Sequence, residues 1–142
     1  MLTIIQYVPS VLYLLVTLIC LVMARKGIFA KRFIPFHEKA AGKSWEELEA
    51  RIKSVILSLT RTTGLGFLAV GLLMAAAAIS SLGNPGVFLR FGAPLIALLY
   101  CTGLFWATYR LYRAAGTETP WRKSLVAMGL LVAGLVVSIL EG

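Results

Sequence analysis

Four long apolar stretches constrain the fold of this chain more than any other feature of its sequence. They run from Ile4 to Ala24, Thr62 to Ser81, Phe91 to Tyr109 and Ser124 to Leu140. A helix rises about 1.5 Å per residue and a bilayer core is about 30 Å thick, so roughly 20 apolar residues cross it. The sequence therefore predicts four transmembrane helices.

The composition supports the same class of protein. Hydrophobic residues make up 59% of the 142 residues and charged residues 14%, whereas soluble domains average about half and about a quarter. Backbone groups in lipid must be hydrogen-bonded internally, and short connections make successive helices neighbours. We expect one all-α transmembrane domain over residues 1–142, an antiparallel four-transmembrane-helix bundle.

The net charge of +8 is concentrated in two connections. The segment 25–53 carries eight Lys and Arg residues and the segment 110–123 carries four, while the second connection carries only Arg90. Cytoplasmic loops of membrane proteins are enriched in Lys and Arg. We therefore expect the first and third connections in the cytoplasm, both termini outside, and membrane lipid rather than nucleic acid as the partner of these cations.

The first connection contains Gly42-Lys43-Ser44, the last three letters of a phosphate-binding loop. The position of that motif's first glycine is held by His37, and no strand precedes it, so nucleotide binding is not predicted. Ser44 and Glu47 instead have capping-box spacing, which predicts a helix from Trp45. Apolar residues then recur at three-and-four spacing, so residues 33–60 are expected to form an amphipathic cytoplasmic segment that lies on the membrane or a partner and continues into the second span.

His37 and Glu38 are the candidates for acid–base chemistry in this connection. Such chemistry would need a carboxylate with a perturbed pKa beside a nucleophile or scissile bond. Interleaved Lys39 and Lys43 favour a solvated polar collar instead. A membrane enzyme at the cytoplasmic mouth is the third-ranked hypothesis, and no catalytic residue is assigned.

Arg61 is the sharpest single candidate for a ligand contact, because intramembrane arginines are costly and often functional. Residues 62–81 suffice for a crossing, which favours Arg61 at the headgroup boundary. In the alternative, Arg61 lies inside the bundle and contacts an anionic or amphipathic solute together with Thr60, Thr63 and Tyr100.

Small residues at regular spacing predict close helix packing. Those on the second span are Gly64, Gly66 and Gly71; those on the third are Ala93, Ala97 and Cys101; those on the fourth are Gly129 and Ala133. Cys20 and Cys101 both lie inside predicted spans, so neither a disulfide, a metal site nor a cofactor is expected.

The run FIPFHEKAAGKSWEEL, followed by LTRTTGLGFLAVGLL, resembles small bacterial four-span membrane proteins of uncharacterised function. The resemblance covers 33–73 and implies a bacterial inner-membrane location but no activity. The leading hypothesis is a non-enzymatic, multi-pass membrane protein that packs with itself, with a larger membrane complex or with lipid. The alternative is a small oligomeric transporter or channel that uses Arg61.

Overall fold

The computed structural model describes residues 7–83 and 86–140. Five α-helices follow one another in these ranges: α1 (Val8–Ile28), α2 (Pro35–Ala41), α3 (Ala50–Ser80), α4 (Ala93–Ala115) and α5 (Trp121–Leu140). A π-helical turn, Phe88–Gly92, leads directly into α4.

Within the described residues, four helical segments are long and apolar enough to cross a membrane. They are Val8–Ile28, Ala50–Ser80, Phe88–Ala115 and Trp121–Leu140. The described part of the chain is thus all-helical and has the four span-length apolar helices that the sequence predicts, although the helix boundaries differ. The expected start of the first span at Ile4 lies outside the described residues.

The α1 and α3 helices approach each other most closely where two glycines meet. A methyl group added to Gly64 would come within 2.6 Å of the Ile28 backbone nitrogen, and one added to Gly27 within 2.8 Å of the Gly64 Cα. Farther along, the Ser10 hydroxyl donates to the Ala78 carbonyl at 2.8 Å. The α1 and α3 helices therefore pack against each other in antiparallel orientation.

The core between the four long helices contains many small side chains and a few large ones. Tyr13, Met74 and Leu131 are the largest fully buried side chains of α1, α3 and α5. Small members of the same core cluster are Cys20, Ala77, Ala78, Ala93, Ala97, Cys101 and Ala127. Because lipid is as apolar as the helices, such close backbone approach and dense packing hold membrane helices together.

The predicted packing role of Gly129 and Ala133 is wrong within this chain. Both are exposed, and a methyl group added to Gly129 would meet nothing within 4 Å. The buried face of α5 is instead formed by Ala127, Leu131, Gly134 and Ser138. The i, i+4 spacing correctly places Gly129 and Ala133 near each other on one face, but it does not determine whether that face points inward.

The prediction that a helix starts at Trp45 is also wrong. The Ser44 N–H does donate to the Glu47 carboxylate, at 3.4 Å, which is one half of a capping box. This contact closes a turn, and α3 begins only at Ala50, with Glu49 as its N-cap. Gly42 ends α2 in the left-handed conformation (φ 63°), which glycine adopts without a steric penalty.

The α3 helix is continuous across residues 60–62, where the sequence predicts the boundary between the amphipathic segment and the second span. Its 31 residues correspond to about 46 Å at 1.5 Å per residue, longer than a bilayer core of about 30 Å. Residues 50–60 therefore form the first part of a long helix rather than a separate helix that could turn to lie flat on the membrane surface.

Candidate functional site

Arg61 lies on an exposed face of α3, near the end of α1. One guanidinium nitrogen, Nη2, is 3.5 Å from the Ala30 carbonyl oxygen, two residues beyond the last residue of α1. This geometry ties α3 to the start of the first connection. Within a single chain, the Arg61 side chain does not point into the core between the helices.

The threonines beside Arg61 form hydrogen bonds within their own helix. The Thr60 hydroxyl donates to the Ile56 carbonyl at 2.8 Å, and the Thr63 hydroxyl donates to the Leu59 carbonyl at 2.9 Å. Thr60 is buried and Thr63 is exposed. Back-bonding of this kind satisfies a hydroxyl in an apolar environment, so both side chains already have the partner that a ligand would otherwise supply.

Tyr100 on α4 reaches the backbone of α3 beside Gly66, which has no side chain to block it. Its hydroxyl donates to the Thr63 carbonyl at 3.1 Å, and a methyl group added to Gly66 would lie 2.7 Å from the same hydroxyl oxygen. Phe67 packs edge-on against the tyrosine ring, with 5.4 Å between ring centroids. Of the predicted ligand contacts, the structure therefore brings Tyr100 and Thr63 together as a helix-packing contact.

His37 belongs to an aromatic cluster rather than to a fully solvated collar. Its ring centroid is 4.1 Å from that of Phe36 and 6.2 Å from that of Phe33, and Phe33 in turn lies 5.3 Å from Trp45. Removal from water disfavours the charged imidazolium, so burial lowers the pKa of His37 below its usual 6.5. The half-buried Glu38 follows it on α2.

Lys53 extends this cluster onto α3. Its ammonium nitrogen lies 5.7 Å from the centre of the Trp45 ring, within the range of a cation–π contact. The segment before α3 is thus folded by aromatic contacts, with Trp45 between the α2 side and the first turn of α3. The ring contacts of His37 are made to Phe36 and Phe33.

A second aromatic cluster joins α4 to α5 at the third connection. Trp121 lies 5.8 Å from Tyr109 and 6.2 Å from Phe105 between ring centroids. The guanidinium carbon of Arg122 is 5.4 Å from the Trp121 ring, and that of Arg110 is 4.9 Å from the Trp106 ring. Aromatic rings next to arginines are typical of the bilayer interface.

Arg90 is the polar contact that sequence reasoning did not single out. This half-buried residue of the π-helical turn donates from both Nε and Nη2 to the Ser138 carbonyl, the Nε distance being 3.2 Å. Ser138 lies two residues before Leu140, the last residue described for α5. The signal in the sequence was a lone arginine in an otherwise uncharged connection.

Ser138 is also linked to the core through its side chain. Its hydroxyl lies 3.4 Å from the Tyr13 hydroxyl, and both residues are buried. Gly134, one turn earlier on α5, faces the Tyr13 ring directly. Arg90, Ser138 and Tyr13 therefore connect the π-helical turn, α5 and α1 at the opposite end of α1 from Gly27.

The described parts of the chain provide no group of three or more His, Cys, Asp or Glu side chains that could hold a metal ion. Cys20 and Cys101 are buried free thiols. Comparisons of the chain with models of protein families, with curated proteins and with solved structures find no match.

Proposed function

We propose that this chain is a non-enzymatic, multi-pass protein of a bacterial inner membrane, which acts by packing with itself, with a larger membrane complex or with lipid. The observation that carries the proposal is the distribution of apolar side chains. Large ones are exposed on every long helix, for example Leu18, Leu72, Leu99 and Val126, while many of the buried residues are small. A chain with this outer surface needs lipid or another membrane protein around it.

The proposed arrangement is an antiparallel four-helix bundle with both termini outside the cytoplasm. The antiparallel packing of α1 and α3 supports this arrangement. It is seen in the contacts of Ser10 with Ala78 and of Gly27 with Gly64. The excess of Lys and Arg in the first and third connections favours their retention in the cytoplasm. The bacterial inner membrane is proposed from the sequence resemblance.

The experiment is alkaline carbonate extraction of membranes, followed by native mass spectrometry of the detergent-purified protein. The proposal expects the chain to resist extraction and to carry a defined partner: a second copy, another membrane protein or bound lipid. Quantitative release by carbonate would contradict membrane integration. In a single copy of the chain, the Arg61 side chain is exposed on the outer surface. A transporter that uses Arg61 would therefore need several copies around a shared path, and a strictly monomeric mass would exclude this alternative.

A further inference from the structure

An amphipathic groove lies along the last two turns of α1. It is lined by Val22, Arg25, Lys26 and Phe29 and has a volume of about 620 Å³. Val22 and Phe29 are 55% and 75% exposed. The opposite side of the same turns carries Ala24 and Gly27, which are buried, so close packing on α3 leaves the groove facing outward.

The polar part of the groove has one sign of charge. Arg25 and Lys26 are both exposed, and α1 contains no acidic residue. Cations in the last turn of a helix are favoured by its macrodipole, which accounts for their position on α1. The macrodipole does not account for the two large apolar side chains that flank these cations, Val22 and Phe29. Cations and apolar side chains together suit a ligand that has both an anionic and an apolar part.

The apolar part of the groove continues up the outer face of α1. Val22 is preceded at helical spacing by Leu18, Leu15 and Val11, which are 53%, 43% and 55% exposed. Residues three and four apart share one side of a helix. A molecule with its phosphate between Arg25 and Lys26 could therefore lay a hydrocarbon chain along this stripe.

We propose that this groove binds the headgroup of one anionic phospholipid, in the leaflet where α1 ends, with an acyl chain along the outer stripe of α1. This inference rests on the proposed function, because it requires α1 to span a bilayer. Arginine supplies paired donors that match phosphate oxygens, and lysine adds a second positive charge. The Phe29 side chain flanks the headgroup on the side away from the acyl chain.

The test is native mass spectrometry of the full chain in detergent, titrated with phosphatidylglycerol or with phosphatidylcholine of identical acyl chains. Two cations near the headgroup predict that the first phosphatidylglycerol binds about thirtyfold more tightly than phosphatidylcholine. The double variant Arg25→Gln/Lys26→Gln should lose this preference. The matched control, Lys31→Gln/Arg32→Gln, removes the same charge from exposed residues just beyond the groove and should keep it.

Equal loss in both double variants would overturn the proposal, because local charge rather than the groove would then select the lipid. Competition by millimolar inorganic phosphate would also overturn it, by indicating a site for a free anion. Equal binding of the two lipids by a protein that resists carbonate extraction would refute the proposed lipid site but not the proposed membrane function. Release of the protein by carbonate would instead refute the proposed membrane function.

Discussion

The absence of a side chain at Gly64 determines how closely α1 and α3 can pack. The nearest atoms to an added methyl group belong to the backbone of Gly27 and Ile28, and backbone cannot move aside as a flexible side chain can. Tyr100 and Tyr13 use glycines differently: their rings fill the space above Gly66 and Gly134. Glycine therefore sets the distances between helices at several separate points.

Replacing Gly64 with alanine should force α1 and α3 apart. Overpacking of this kind costs typically about 1–3 kcal/mol, and the clash is with backbone at 2.6 Å. The free energy of unfolding in mixed micelles of SDS and a mild detergent would measure the loss. Gly103→Ala is the matched control, since a methyl group there meets nothing within 4 Å; similar losses in both variants would contradict the role assigned to Gly64.

Replacing Arg90 with methionine should destabilise the end of α5. The variant keeps much of the side-chain volume but removes both hydrogen bonds to the Ser138 carbonyl. The expected cost is about 1.5–3 kcal/mol, the range for hydrogen bonds that involve a charged group. It would be measured by unfolding in mixed micelles and by faster amide exchange in residues 134–140. Arg113→Met, an exposed control on α4, should change neither quantity. Unchanged stability and amide exchange in Arg90→Met would contradict the role assigned to its hydrogen bonds with Ser138.

Protonation of His37 should loosen the aromatic cluster around α2. Burial lowers its pKa in the folded state, whereas the unfolded chain titrates near 6.5, so the unfolded state binds more protons between those two values. Stability of this segment therefore rises with pH through that window and is lost as pH falls below 6.5.

The chain contains one histidine, so an NMR titration in detergent reports this group directly. We expect a midpoint below 6.5 and, as pH falls through the same range, smaller amide protection factors in residues 33–45, each calculated against the intrinsic exchange rate at that pH. His37→Phe should abolish the pH dependence of these protection factors. A midpoint at or above the ordinary value would contradict the burial of the imidazole in the cluster.

At the scale of the elements, the sequence predicts the long helices better than their ends. Apolar runs of span length identify four helices, because hydrocarbon length is a strong constraint. The start of α3 at Ala50 was missed because Ser44 and Glu47 have capping-box spacing but close a turn instead. Local spacing identifies a possible cap, but in the fold Trp45 precedes α3 and packs against Phe33.

The packing face of each helix was predictable only in part. Gly64, Ala93, Ala97 and Cys101 are buried, whereas Gly129 and Ala133 on α5 are exposed. At about 100° per residue, Gly129 lies on the far side of α5 from Ala127. In a helix that is apolar on all sides, neither hydrophobicity nor small-residue spacing distinguishes the protein-facing side from the lipid-facing side.

The candidate site was the least predictable feature. Arg61 stood out in the sequence because of its place at the edge of a span, but its observed partner is the Ala30 carbonyl. Arg90 looked like an ordinary loop cation, yet it reaches the end of α5, 48 residues later in the chain. Such contacts depend on how the helices are placed around one another, which a single sequence does not encode in local patterns.

For the whole molecule, the proposed topology has four helices that cross a membrane, with the first and third connections on one side. The direct test is single-cysteine labelling in a Cys20→Ala/Cys101→Ala background, which removes both buried native thiols. The new cysteines are Lys43→Cys in the first connection, Gly83→Cys in the second and Glu118→Cys in the third, all at exposed positions.

A membrane-impermeant maleimide would be applied to right-side-out and to inverted inner-membrane vesicles. The proposed topology predicts that Lys43→Cys and Glu118→Cys are labelled only in inverted vesicles and Gly83→Cys only in right-side-out vesicles. Labelling of all three from one side, or of Lys43→Cys and Glu118→Cys from opposite sides, would contradict it.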